Sequence, residues 1–396
     1  MRFIPSLVVT ATLFLSAHAA LATPLEGKDA EKNAAPAPKT TPAPVGELAP
    51  IVPPRNVLPR VELHGGAYFW YYQPLSTTAD VSPSDSNIEL YLASLDFEGR
   101  LDDFGLVLNP RFRDSEAREF FTSNVWIEQA YAFYEKPSIT VKLGKVYHQF
   151  SRLSDNTFYG NIPYFDGFKL DALYGLSLEG DFETESGFGL GYYGQYFLID
   201  GGTNGSLRNR DTVWVEDDVH RNHTAVLRLE PAFRFNQLAS LRFGLAGEHT
   251  YVDFTPRTGL EPQSVFRVAA DLSFAYGPVR AFGEYMGQFG KTVTDYPYPR
   301  KPATTTPAEP GRSSGRNHYV MAGAEAQIWR ITGRYSFSMV KYNDLDVTEL
   351  LHLPGATVTL HDNVSLIVEY AYWRRLDPDK AATLDNSLNI TVHARF

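Results

Sequence analysis

From Val61 to the last residue, apolar and polar side chains alternate with a period of two, the pattern of half-buried β-strands. In "FGLVLNPRFR", Phe104, Leu106, Leu108 and Phe112 share one side, with Asn109, Arg111 and Arg113 on the other. "SVFRVAADLSFAY" sets Phe266, Val268, Ala270, Leu272, Phe274 and Tyr276 against Arg267, Asp271 and Ser273. "HYVMAGAEAQI" and "DNVSLIVEYAY" repeat the arrangement around Glu325 and Gln327, and around Ser365 and Glu369. No window of helical period interrupts it.

The alternation predicts about sixteen strands: 61–73, 88–100, 104–113, 124–135, 137–147, 174–182, 188–199, 223–235, 239–254, 264–276, 278–290, 317–329, 331–342, 353–361, 363–374 and 386–396. The first, fourth and fourteenth are the least regular, and "WIEQAYAFYE" leaves open which face points outward. Long connections (74–87, 114–123, 148–173, 200–222, 255–263, 291–316, 343–352, 375–385) alternate with tight turns such as Asp102-Asp103, "FNQL" and Gly277-Pro278. Tight turns at one end and long loops at the other are the rhythm of an outer-membrane barrel, whose strands of about ten residues cross the bilayer tilted. The fold predicted is all-β: a transmembrane antiparallel β-barrel of about 16 strands, with a constriction loop after strand 5.

The chain ends in mid-strand, on "NSLNITVHARF". In an open sheet that strand would be an aggregation-prone edge; in a closed barrel it pairs with the first strand. Phe396 then falls at a membrane interface, where aromatic girdles belong. The alternative reading is a soluble secreted sandwich or propeller, whose apolar faces would stack on each other in a dry core.

Other segments divide the chain. Met1-Arg2, the apolar "LVVTATLFL" and the small-residue sites "AHA" and "ALA" read as a signal peptide, 1–22, cut after Ala22. Residues 23–58 are Pro/Ala-rich without hydrophobic period and read as a disordered tether. The barrel domain spans 59–396.

Composition adds three limits. With no cysteine, disulfides and thiolate chemistry are excluded. The net charge of −10 argues against a nucleic-acid partner. Aromatics reach 14 %, as strands and membrane interfaces favour. No HExxH, GxSxG or glycine-rich phosphate loop occurs. His220 and His223 stand near Glu216, Asp217 and Asp218, where a metal is conceivable, but a solvated loop explains them better.

Charged residues opposite the apolar stripes are inexpensive only if they face water, which points to a wide, wet interior. The pore-lining and constriction candidates are Arg111, Arg113, Lys142, Arg152, Asp155, Asp166, Lys169, Arg228, Arg242, Arg267, Arg280 and Arg334. Arg111, Arg113, Lys142 and Arg152 either form a basic wall that draws anions in or pair with carboxylates that stiffen the barrel. The connection 148–173 carries Phe150, Phe158, Tyr159, Ile162, Tyr164 and Phe165, too apolar for a solvated loop. It is expected to fold into the lumen, the alternative being packing over the mouth or on a neighbouring subunit.

A sixteen-strand barrel with its constricting loop after strand five resembles the trimeric bacterial porins. "ITVKLGKVYHQFSRLSDNTFYG" is similar to the glycine-ending strand and following loop of the phosphate-selective porins O and P, departing from them at His148-Gln149-Phe150. A terminal Phe also resembles the sorting signal read by the outer-membrane assembly machinery. The resemblance implies a homotrimer in the cell outer membrane, in contact with lipid and lipopolysaccharide. It further implies that small hydrophilic solutes pass by passive diffusion through a channel narrowed by residues 148–167. No cofactor and no enzymatic reaction are expected. Alternatives are an anion- or phosphate-selective pore, a barrel hydrolase and an adhesin with a plugged lumen.

Overall fold

The computed structural model describes residues 59–77, 86–113, 125–152, 157–162, 172–200, 219–254, 261–295, 312–378 and 381–396. The segments read as signal peptide and tether, 1–22 and 23–58, lie outside these. The strands are β1 Arg60–Thr77, β2 Asn87–Leu101, β3 Phe104–Phe112, β4 Val125–Lys136, β5 Ile139–Tyr147, β6 Ala172–Glu183, β7 Phe188–Ile199 and β8 Val219–Arg234. They continue with β9 Ala239–Phe254, β10 Gln263–Tyr276, β11 Val279–Asp295, β12 Arg312–Ile328, β13 Ile331–Tyr342, β14 Val347–His361, β15 Val364–Leu376 and β16 Thr383–Arg395. Each pairs antiparallel with the next, and β16 returns to β1, closing a sixteen-stranded barrel.

The two faces sort as the alternation demands. Leu106, Leu143, Leu227, Leu245, Phe266 and Leu272 are exposed on the outside, while Arg228, Glu248, Asp271 and Glu369 are buried inside. This inverts a soluble protein and is the distribution of a barrel set in lipid. A dry two-layer stack of the apolar faces is ruled out by their exposure. At the tight-turn end, Phe104, Phe235, Trp329 and Phe396 stand exposed as an aromatic rim. The tight turns there use left-handed residues, Asp102 (φ 52), Gly277 (φ 53) and Trp329 (φ 54), as two-residue hairpins with matched twist require.

The structure differs from the expected spans in two ways. Strands run further toward the long-loop end: β11 reaches Asp295, β12 begins at Arg312, and β14 begins at Val347 rather than 353. The connection expected over 343–352 is a single 3-10 turn, Asn343–Leu345. The reason lies in Val347, Leu351 and Leu353, which point inward yet are apolar and buried, so the alternation fades there.

The second difference is phase. In β4, Trp126 and Glu128 face inward, but so do Tyr131 and Phe133. The register against β3 slips between Asn109 and Pro110, leaving Glu128 as the extra residue of a β-bulge. A similar slip between Tyr68 and Phe69 doubles up β2 at Tyr91. One added residue moves every following side chain to the other face, which is why "WIEQAYAFYE" shows no single alternation.

Candidate channel lining and the segment after β5

The inward charges are held as pairs. Some are direct cross-strand neighbours: Arg267 opposite Glu248 (3.1 Å) and Arg280 opposite Glu325 (3.4 Å). Arg111 pairs with Asp96 at 2.8 Å, and Lys142 pairs with Glu179. Others reach across an intervening strand. Arg228 on β8 donates to Asp271 on β10 at 2.6 Å, passing over Gly244 of β9. A Cβ at Gly244 would sit 2.0 Å from the Asp271 carboxylate and 2.4 Å from the Arg228 guanidinium. Arg334 on β13 likewise approaches Glu369 on β15 (3.5 Å) across Gly355 of β14, which is in register with both. Strands two apart are about 9.6 Å distant, so these pairs need an inward position with no side chain between them.

The chain leaving β5 crosses the interior. His148 lies 2.5 Å from Glu248 on β9, and the Gln149 N–H donates to Gln195 on β7. Arg152 donates two hydrogen bonds to Glu230 on β8, at 2.9 and 2.5 Å. Burial alone would push its guanidinium toward deprotonation; the Glu230 carboxylate outweighs this, so the proton is held more tightly than on an ordinary arginine. The Phe150 carbonyl accepts from Arg228, and its ring is fully buried.

Residues 157–162 meet the other side of the wall. The backbone N–H groups of Phe158 and Tyr159 both donate to the Glu369 carboxylate, at 2.7 Å each. The Ile162 N–H donates to Ser338 Oγ, and Ser336 Oγ donates to Asn161 Oδ1, both serines lying on β13. The Phe158 ring packs among Tyr68, Trp70 and Tyr91 of β1 and β2. Three strands (β10–β12) separate β7–β9 from β13–β15 one way around the ring and seven (β16 and β1–β6) the other way, so the segment is tied to two well-separated parts of the wall.

Of the predicted residues, Arg111, Lys142, Arg152, Arg228, Arg267, Arg280 and Arg334 all meet carboxylates. Arg113 lies over the Trp126 ring at 3.9 Å. Arg242 is half-buried and makes no ion pair among the described residues. Asp155, Asp166 and Lys169 lie outside the described residues. Of the four residues considered for a basic wall, three are neutralised in place. The residues that sequence reasoning did not select are the partners, above all Glu230, Glu248 and Glu369. Their inward position was readable from the alternation; that they anchor the crossing segment was not. His220 and His223 diverge: His220 stands 3.8 Å from Asp200, while the Tyr196 hydroxyl lies 2.8 Å from His223 Nδ1 on the outer face.

Strand number, closure, the inverted faces and a segment bound inside define a class: the chain has the fold of the sixteen-stranded transmembrane porins. Solved structures agree. The Salmonella typhi OmpF solved in complex with daunomycin superposes with a TM-score of 0.60 at 13 % identity, over 85 % of this chain and 97 % of that one. The anion-selective porin from Comamonas acidovorans gives 0.57 at 14 %, over 86 % and 100 %. The outer membrane channel DcaP of Acinetobacter baumannii gives 0.54 at 12 %, over 85 % and 97 %. No protein-family model and no curated protein sequence matches the chain.

Proposed function

We propose that the protein is an outer-membrane porin through which small hydrophilic solutes or ions diffuse passively, without catalysis. The observation that carries this reading is the segment after β5, bound by Arg152 to Glu230 on one wall and by Phe158 and Tyr159 to Glu369 on the other. A chain tied across the inside of a lipid-facing barrel narrows the lumen and sets its local field, the means by which charged constrictions select. In this reading residues 148–167 form the constriction, with Asp155 and Asp166 part of it and Lys169 just beyond it, and the inward Arg and Lys side chains line the path. Residues 1–22 direct export and are removed; 23–58 form a tether on the periplasmic side. The outward faces of β1–β4 (Phe69, Leu106, Phe112, Val125) are apolar and exposed, which suits contact between copies in a homotrimer. Refolded protein in a planar bilayer is expected to give stepwise conductance. A folded, inserted barrel with no steps at any voltage would favour the hydrolase or adhesin reading.

An anion preference is the second reading, favoured by Arg242, an inward cation that makes no ion pair among the described residues and feels the cations Arg152 and Arg280 as well as the Glu230 carboxylate. Replacing it, Arg242→Glu, changes the local charge by two units. At about 7 Å in water this is worth ~1 kcal/mol to a passing ion, a several-fold fall in the anion-to-cation permeability ratio. Reversal potentials in a salt gradient measure it; no shift would remove Arg242 from the path.

A further inference from the structure

Toward the tight-turn end the interior of the barrel becomes wet. Arg228, at mid-height, is 1 % exposed as a side chain, whereas Arg280 and Glu325 are 26 % and 23 % exposed. Four polar residues meet at this mouth: Arg242 on β9, Ser273 on β10, Arg280 on β11 and Glu325 on β12. Each lies within four residues of the tight-turn end of its strand. At ~3.3 Å per residue the group sits no more than about 13 Å inside the mouth. Their chain neighbours Phe243, Leu272, Phe274 and Val279 are exposed on the outer side, so these side chains face the lumen, as does Glu325 opposite Arg280.

The register sets them side by side. Arg242 lies opposite Ser273, and Arg280 opposite Glu325. The Arg280 guanidinium is shared between its neighbours, Nε donating to Ser273 Oγ at 3.3 Å and Nη1 to Glu325 at 3.4 Å. Both contacts are long, and water reaches the pair. Arg242 stands among small inward residues: Ser240 and Gly244 along β9, Ala232 opposite on β8 and Ser273 on β10. Between the two arginines β10 presents inward only Ser273 and Ala275. The Glu230 carboxylate within electrostatic reach of Arg242 is already paired with Arg152 and Arg228. The row therefore reads cation, hydroxyl, cation, carboxylate across four strands, with one positive charge in excess.

We infer that this row is a binding site for an acidic α-amino acid, a solute with two carboxylates and one ammonium. The inference rests on the porin reading and names a substrate class for it. On the α-carbon an ammonium and a carboxylate are adjacent, as Glu325 and Arg280 are adjacent on the wall. The side-chain carboxylate, farther out, reaches Arg242 and the Ser273 hydroxyl across β10. Arginine forks suit carboxylate oxygens. A plain dianion satisfies both arginines but meets Glu325 as a like charge, which is the repulsive element that discrimination needs. Exposed contacts of this kind hold a solute weakly enough for it to leave, as conduction requires.

The test titrates the folded full chain in detergent by calorimetry with L-glutamate, with glutarate, which is the same dicarboxylate without the ammonium, and with L-glutamine. L-glutamate is expected to bind the parent at least fivefold more tightly than either. Glu325→Gln is expected to erase its advantage over glutarate while glutarate still binds, and Arg242→Gln to bring L-glutamate down to the level of L-glutamine. Glutarate binding the parent as well as L-glutamate does would mean a plain anion subsite and overturn the assignment. So would a parent that binds no L-glutamate, or a preference that survives Glu325→Gln. Bilayer conductance of the same samples in potassium chloride separates the two readings. A conducting parent that binds no L-glutamate sinks this inference alone; a parent that never conducts sinks the porin reading, and the titration still decides the site.

Discussion

Substituting Glu369→Ala is expected to raise the single-channel conductance markedly while leaving a folded barrel. The Glu369 side chain takes no part in the strand ladder, whose backbone pairs at this position run to Gly355 and Asn389. It does hold the far end of the crossing segment through two charge-assisted bonds from Phe158 and Tyr159. Such bonds contribute about 1.5–3 kcal/mol each. Without the carboxylate two buried N–H groups lose their acceptor, and the hold on residues 157–162 shifts to contacts such as those with the β13 serines and the aromatic packing of Phe158. The segment then swings from the wall and the cross-section it obstructs opens. Glu369→Gln keeps one acceptor oxygen and is expected to fall between. Conductance steps read the opening, and the gel shift between heated and unheated samples reads the barrel. Unchanged steps in the alanine variant would mean that the segment is positioned by something else.

Arg228→Ala is expected to carry the largest stability cost, about 3–5 kcal/mol, because it strips the partner from buried carboxylates. Arg228 is 1 % exposed as a side chain and joins Glu230 at 2.7 Å to Asp271 at 2.6 Å. Its removal leaves Glu230 with Arg152 and deprives Asp271 of its guanidinium. Adding Asp271→Ala removes the stranded charge, so the double variant should recover part of the loss, a coupling that a pairwise cycle isolates. Urea midpoints followed by gel shift measure it. A double variant that is simply the sum of the two singles would mean that the bridge over Gly244 contributes nothing.

How much of this was legible follows from the physics of each feature. Strand number and facing were readable wherever lipid is on one side and charge on the other, as in β3, β10 and β15. They became unreadable where the interior itself is apolar, at Tyr68, Trp70 and Tyr72 and at Val347, Leu351 and Leu353, because both faces then look alike. Bulges at Glu128 and Tyr91 left no compositional mark, since any residue can be the extra one. The cations were visible as cations; their neutralisation was not, because Arg228 and Arg334 find partners two strands away. Likewise the apolar residues after β5 announced packing, but not that backbone N–H groups rather than side chains would grip Glu369.

The seam between β1 and β16 has a consequence for biogenesis. Gly65 and Phe396 exchange both backbone hydrogen bonds, at 3.1 and 3.0 Å, and the Phe396 ring occupies the space a side chain at Gly65 would need. These partners are separated by nearly all of the folded part of the chain, so the ring shuts only after every intervening hairpin has been delivered. Until then both terminal strands are raw edges in a lipid that offers them no partner. Within the proposed outer-membrane reading, nascent copies are expected to need their open edges shielded until closure, and a bulky residue in place of Gly65 is expected to leave them stranded at that stage.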